Sequence, residues 1–528
     1  MIKNIRTVAK KKNWLPFRKK EGGSQNMNDK CHTLSAVLER HAKETPEKIA
    51  IICQHKKINY KEFNKTANCL ANELLKIGVK KGDRIGLMLP RIPELVISFL
   101  GVAKTGGIVA PINYELTKEG IETIFKNIAP ACLIVHSSYL DHAIQSLPGN
   151  TPLPIIVVGK YTGRGIPWNE IMNTGKTNNP DLDIQPHDIV YLNYTSGSTG
   201  NSKGAETTHS NIYWNTISAI DMLGLKNDDV HLCMFAPFAH PHEIFARPLY
   251  LGGAMVLVEK IYPKTIANTI ATHKVTCMMG LAPLYENLLE ILEHETFDLS
   301  SLRIPESGGM YTRTNLIETF KQKIGVPIIP VWGSTETTGI AIANRPGELI
   351  PERSVGKPCP TYEVKIVGSD NNELPPGEIG EMIFKGPAVI QNYYGNIDQT
   401  CFHNGWYHSG DLGIKDENGY FYFMERKSGM MKVAGLKVYP QEIERVLMEH
   451  PSIKEIAVIS VKDRLRGEIP KAIAVLQPGM DLTEHEIMDF CKDRLPQYKV
   501  PRIIEIRKDI PKSSSGKINK KILTLEHV

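Results

Sequence analysis

Two segments far apart in the chain carry residue types suited to phosphate chemistry. The first is Thr195-Ser196-Gly197-Ser198-Thr199-Gly200-Asn201-Ser202-Lys203-Gly204, in which glycines allow a tight bend and backbone N–H groups can converge on an anion. Thr195, Ser196, Ser198 and Thr199 add hydroxyl donors and Lys203 adds charge, so the loop can match the many acceptor oxygens of a triphosphate. It lacks the Gly-Lys followed by Ser or Thr of a Walker loop. Taken alone, it is equally compatible with an ordinary Gly/Ser surface turn. The second segment is Pro511-Lys512-Ser513-Ser514-Ser515-Gly516-Lys517-Ile518, whose Lys517 could bring a mobile positive charge to such an anion.

Two further groups extend this chemistry. Val331-Trp332-Gly333-Ser334-Thr335-Glu336 follows a strand-like run, and ligands of α/β sheets lie beyond the carboxyl ends of strands. There Trp332 could stack on a purine, the Gly333 backbone could approach closely, and Glu336 could hold Mg²⁺ on phosphate oxygens. Tyr407-His408-Ser409-Gly410-Asp411-Leu412-Gly413 offers Asp411 as a reader of vicinal ribose hydroxyls, with Arg426 beside it. The bland alternatives are a solvated Glu336 and an Asp411 that merely turns the chain.

The elements that must position these residues alternate. Asp188–Tyr194 reads as a buried strand. Ala254–Val258, Val275–Met279 and Pro327–Val331 read as strands between helices over 264–273, 283–294 and 314–324, which predicts parallel sheets with covered faces. After about residue 350 short strands separated by turn residues predict a small β-barrel or antiparallel sheet. Beyond Arg426 a compact α+β unit follows. The expected fold is therefore multidomain α/β: a large N-terminal domain of two layered α/β subdomains plus a small β-barrel, and a small mobile α+β C-terminal domain. Boundaries are set at 1–30 for a basic tail, 31–426 for the large domain and 427–528 for the small one.

Composition agrees with a soluble globular protein of several domains: 528 residues, 41% hydrophobic and 23% charged. The net charge of +6 is local. Eight basic residues against Glu21 alone put +7 in the first 21 residues, so the rest, at −1, is nearly neutral. That tail reads as a solvated extension capable of peripheral contact with an anionic surface. The longest apolar run, Leu95–Ala103, is cut by charges well short of a membrane span, and no signal peptide is evident. Nine cysteines without Cys-x-x-Cys spacing predict reduced thiols, a cytoplasmic protein and no zinc or iron–sulfur site.

Four segments, Tyr194–Gly200, Gly333–Glu336, Ser409–Gly413 and Ser515–Ile518, in this order and at these separations, resemble the adenylate-forming superfamily of acyl-CoA synthetases, peptide adenylation domains and luciferases. The resemblance spans about 33–525 and is closest to the acyl-CoA synthetases (AMP-forming). It implies activation of a carboxylic acid by ATP to an acyl-adenylate with pyrophosphate released, then displacement of AMP by coenzyme A. Under it Thr195, Ser196, Gly197, Ser198, Thr199, Gly200 and Lys203 grip phosphate. Gly308, Gly309, Trp332, Gly333, Ser334, Thr335, Asp411 and Arg426 bind nucleotide, Glu336 holds Mg²⁺, and His240 closes over the acyl carboxylate. Lys517 is the catalytic lysine, Lys427 the hinge, and Gly435, Leu436 and Lys437 meet CoA. No nucleic acid partner and no transmembrane segment are implied, and fatty acid metabolism is one setting among several.

The chain departs from the usual pattern at Asn201-Ser202, at Glu425, where glycine is frequent, and at Trp332, where tyrosine is usual. Neither the acid nor the oligomeric state follows from the sequence. The alternatives are an acyl-AMP ligase loading a carrier-protein phosphopantetheine, a phosphotransferase that would release ADP, and a non-enzymatic nucleotide-binding relative.

Overall fold

The computed structural model describes residues 32–149, 153–161, 163–195, 203–396, 399–434, 436–512 and 518–526. Two large sheets carry the first two thirds of the chain. One has seven strands in the order Ile166–Pro167, Ile155–Val158, Cys132–His136, Arg84–Met88, Ile108–Pro111, Ile189–Thr195, Lys203–Thr208. All its pairs are parallel except the last, where Lys203–Thr208 returns antiparallel beside Ile189–Thr195. The other has nine strands, with a parallel centre of Ile329–Ser334, Ile304–Ser307, Cys277–Gly280, Val230–Cys233, Ala254–Leu257 and Ile49–Cys53. Its edges are antiparallel.

Strands buried on both faces read as continuous apolar runs, which is why these were legible. The apolar run near residue 95 becomes the helix Pro93–Thr105, buried on nearly every side. Even the Lys104 that interrupts it is 2% exposed and pairs with Glu39. Among the described residues no helix is long and apolar enough to cross a membrane.

The third unit differs in detail from the expected barrel. Glu363–Val367, Gly380–Lys385, Trp406–Lys415 and Phe402–His403 pair in that order, and Phe421–Arg426 joins Trp406–Lys415 from the side. The pairing is a branched antiparallel sheet of five strands that does not close on itself among the described residues. The last unit is a five-stranded sheet of Leu436–Val438, Met431–Val433, Gly467–Leu476, Ile453–Asp463 and Ile503–Arg507. The helices Pro440–Leu447 and Glu484–Lys492 pack with it around Val458, Ala472, Ile443 and Ile487. Thr483 and Glu486 start the second helix by a reciprocal capping box.

A buried ion triad ties helix to sheet. Arg247, on the helix Pro241–Leu251, donates to both oxygens of Glu306 at 2.8 Å and lies 3.0 Å from Glu243. Burial, the larger influence, pushes the Glu306 carboxyl up, and Arg247 pulls it back down. Removing the one cation leaves two buried carboxylates unpaired. Arg247→Met is therefore expected to cost about 3–5 kcal/mol, read as a lower urea midpoint, whereas Glu306→Gln costs less. Equal losses in the two variants would contradict this account.

Candidate active site

The carboxyl ends of the parallel strands of both sheets open on the segments that carry the chemistry. Thr195 ends one strand and Ser307 another, which continues into Gly308 and Gly309. Ser334 ends a third, just before Thr335 and Glu336, and Cys233 a fourth, ahead of Phe235–His240. Ser196, Gly197, Ser198, Thr199 and Gly200, and also Gly435 and Lys517, lie outside the described residues.

Asp411 is not a turn residue. It sits inside the strand Trp406–Lys415, in register with Arg426, and is 3% exposed. Gly410 before it has φ 69°, a left-handed conformation that aims the following residues without a Cβ penalty. The Trp332 indole N–H donates to Asp411 Oδ2 at 3.0 Å, and Arg426 Nε lies 2.7 Å from Oδ1. Oδ1 nevertheless takes no aligned hydrogen bond. Burial, the largest cause, pushes the Asp411 carboxyl up to about 6, against the opposing pull of Arg426 and the indole N–H. Ser409 Oγ receives the Asp411 N–H and donates to the Met382 carbonyl, which fixes the strand locally.

Trp332 differs from the open purine platform expected of it. Its ring stacks on Phe384 with centroids 4.3 Å apart and planes 3° from parallel, and the residue is 8% exposed. One face is therefore taken and its N–H is committed to Asp411. Gly333, next in the strand, has the carbonyl of Gly339 2.3 Å from where a Cβ would stand. No larger residue fits that hairpin.

Glu336 is 9% exposed, and the Tyr393 hydroxyl donates to its Oε1 at 2.7 Å. Its Oε2 accepts no hydrogen bond from the described residues, so a hard anionic oxygen remains for a cation. Burial and the neighbouring carboxylate hold the Tyr393 phenol far above its usual range, so it stays a donor. Lys203 places its ammonium 5.3 Å from the Tyr393 ring, linking the strand Lys203–Thr208 to Glu336 through this one tyrosine.

The hairpin bearing Glu336 is pinned below by His242. Its Nε2 is 2.6 Å from the Thr338 carbonyl and its Nδ1 2.7 Å from the Tyr191 hydroxyl. A carbonyl only accepts, so Nε2 carries the proton and Tyr191 donates to Nδ1. Burial lowers the His242 pKa to about 3, which keeps the ring neutral. Thr338 has φ 58° and donates to the Ala388 carbonyl at 2.7 Å. His240, the residue singled out by sequence, precedes the same helix, its Nδ1 3.5 Å from Asn193 Nδ2.

Lys427 reaches Glu381 at 2.9 Å, and Glu381 Oε1 accepts the Gly410 N–H. Leu436 and Lys437 form a strand of the last sheet. Sequence reasoning missed Tyr393, Phe384, His242 and Glu381. It also saw no metal-like cysteine spacing, yet the fold brings Cys277 beside His231 and Asp229. The Asp229 carboxylate there is occupied by Arg303, Thr276 and the Lys226 N–H, as a structural ion pair would be.

Known proteins resemble this chain over nearly its whole length. Residues 38–394 match the AMP-binding enzyme family and residues 442–517 the AMP-binding enzyme C-terminal domain. The chain belongs to the AMP-binding enzyme family. It is 31% identical to the crotonobetaine/carnitine–CoA ligase of Salmonella arizonae, over 95% of this chain and 99% of that protein. It is 32% identical to the long-chain-fatty-acid–CoA ligase of Bacillus subtilis, over 94% of each. The crystal structure of the anthranilate CoA ligase AuaEII with anthranoyl-AMP superposes with a TM-score of 0.87 at 30% identity, covering 94% of this chain and 97% of that one.

Trp332→Phe keeps the stack on Phe384 but removes the donor to Asp411. The Asp411 carboxyl is then expected to titrate above its present value of about 6 in carboxyl-selective NMR. An unchanged titration would show that the indole bond is electrostatically idle.

Proposed function

We propose that the protein is an ATP-dependent acyl-CoA synthetase (AMP-forming) whose nucleotide is read by Asp411. The observation that carries this is the buried Asp411 carboxylate, tied to Trp332 and Arg426, with Oδ1 still lacking an aligned hydrogen bond. A ribose hydroxyl supplies such a donor. The relatives are CoA ligases of dissimilar acids, which supports the reaction type and favours coenzyme A over a carrier protein as acceptor.

In the reaction an oxygen of the substrate carboxylate attacks the α-phosphorus of ATP. The bond to the bridging oxygen breaks and pyrophosphate leaves. The thiol sulfur of CoA then attacks the acyl carbon and AMP departs with the electron pair. Thr195, the loop through Gly200 and Lys203 hold phosphate; Gly308, Gly309, Gly333, Ser334 and Thr335 line the nucleotide side. Glu336, steadied by Tyr393, would hold a Mg²⁺ ion that neutralises phosphate charge. His240 lies at the acyl side. Trp332 serves chiefly to orient Asp411. Lys517 places its ammonium between the two anions and stabilises charge developing at phosphorus. The segment past Lys427 moves between the two steps, with Leu436 and Lys437 towards CoA. The described cysteines are free thiols, which fits a reducing compartment such as the cytoplasm.

A panel of carboxylic acids scored by acid-dependent pyrophosphate release, followed by AMP release on adding CoA, tests the reading. Release of ADP, or no response to any acid, would sink it. Lys517→Ala is expected to slow adenylation on the order of 10²–10³-fold while sparing thioester formation from preformed acyl-adenylate. A second expectation follows from Asp411. Ionised, it accepts from hydroxyls with full charge; protonated, it does not. Apparent ATP affinity should therefore fall as pH drops through about 6, and Asp411→Asn should weaken binding and flatten that dependence.

A further inference from the structure

The helix Pro440–Leu447 has a defective start of its own. Its N-cap, Tyr439, offers no side-chain acceptor, and Pro440 at the first position has no N–H, so Gln441 is the first backbone donor needing a partner. That partner comes from the other side of Lys427. Glu425, in the strand Phe421–Arg426 and 4% exposed, accepts the Gln441 N–H on Oε2 at 3.0 Å. Its Oε1 accepts the N–H of Arg426 at 2.8 Å, so the carboxylate is aimed by its own strand. Lys520 closes the arrangement from the chain's last helix, with Nζ 2.9 Å from Glu444 and 3.9 Å from Glu425 Oε2.

These contacts join opposite sides of the proposed hinge. We propose that Glu425 is a positioning residue that latches the C-terminal segment in the orientation of this structure and so sets the balance between the two half-reactions. The proposal rests on the two-step reading above. The anchor lies next to the candidate site in the chain, since Glu425 adjoins the Arg426 that pairs with Asp411. The latch therefore favours the half-reaction that this orientation serves, at the expense of the other. Any swing about Lys427 must pull Gln441 from Glu425, uncapping the helix and taking the N–H donor from Glu425 Oε2.

The test uses full-length wild type, Glu425→Ala and Glu425→Gln, with each half-reaction assayed separately and amide hydrogen exchange followed over 436–447. In Glu425→Ala, the ratio of adenylation, measured by acid-dependent ATP–pyrophosphate exchange, to thioester formation from preformed acyl-adenylate should shift about five- to tenfold, the size of a lost helix cap. One half-reaction should fall while the other holds or rises, and exchange at Gln441 should speed up. Glu425→Gln, which keeps an acceptor for Gln441 but not the charge facing Lys520, should fall between. Equal losses in both half-reactions, or unchanged exchange at Gln441, would overturn the latch. If wild type activates no acid, the functional reading fails instead, and the exchange at Gln441 still reports on the contact.

Discussion

Keeping a carboxylate at the Asp411 position, nearly out of water, is the constraint on which the candidate site turns. A buried carboxylate is unfavourable unless charges and donors surround it. Arg426 supplies charge from the adjacent strand, and Trp332 supplies an N–H from the carboxyl end of the large sheet. Trp332 can do this only because Phe384 holds its ring flat from the third sheet. One carboxylate thus ties together three strands from two sheets, and its burial in return pushes its pKa up to about 6.

Glu336 is organised by a different route. Its hairpin needs Gly333 for the close pass by Gly339, a left-handed Thr338, and a neutral His242 beneath. Tyr393 then fixes one carboxylate oxygen. The division of labour is consistent with electrostatic preorganisation: the scaffold bears the strain, and the exposed atoms need not reorganise when a charged ligand binds.

Much of this was legible in the sequence, for reasons that also mark the limit. Parallel strands buried on both faces are largely apolar runs, so strands were readable over 188–194 and 327–331, which the structure sets at Ile189–Thr195 and Ile329–Ser334. The helix 314–324 was readable to the residue because its apolar face repeats cleanly. Asp411 was readable as a candidate ribose reader but not as a strand residue, because a Gly-Asp pair signals a turn unless the partner strand is known. Tyr393, His242 and Phe384 carry no local signal at all. Each matters through a partner 51 or more positions away, and only the folded register brings them together.

The same distinction explains Glu425. In sequence it is an acidic residue where glycine is frequent, and the helix after Pro440 looks self-sufficient, with proline at its start and Glu442 in its first turn. In the fold that helix borrows its cap from a strand that precedes Lys427. A domain meant to swing freely would carry its own cap, since a cap supplied from across the boundary makes helix stability depend on orientation. Here the dependence runs both ways, because Glu425 also relies on Gln441 and Lys520 to satisfy its buried charge. Two groups that each lose a partner on separation give a discrete orientation rather than a continuum, which is what a two-step reaction on one site requires.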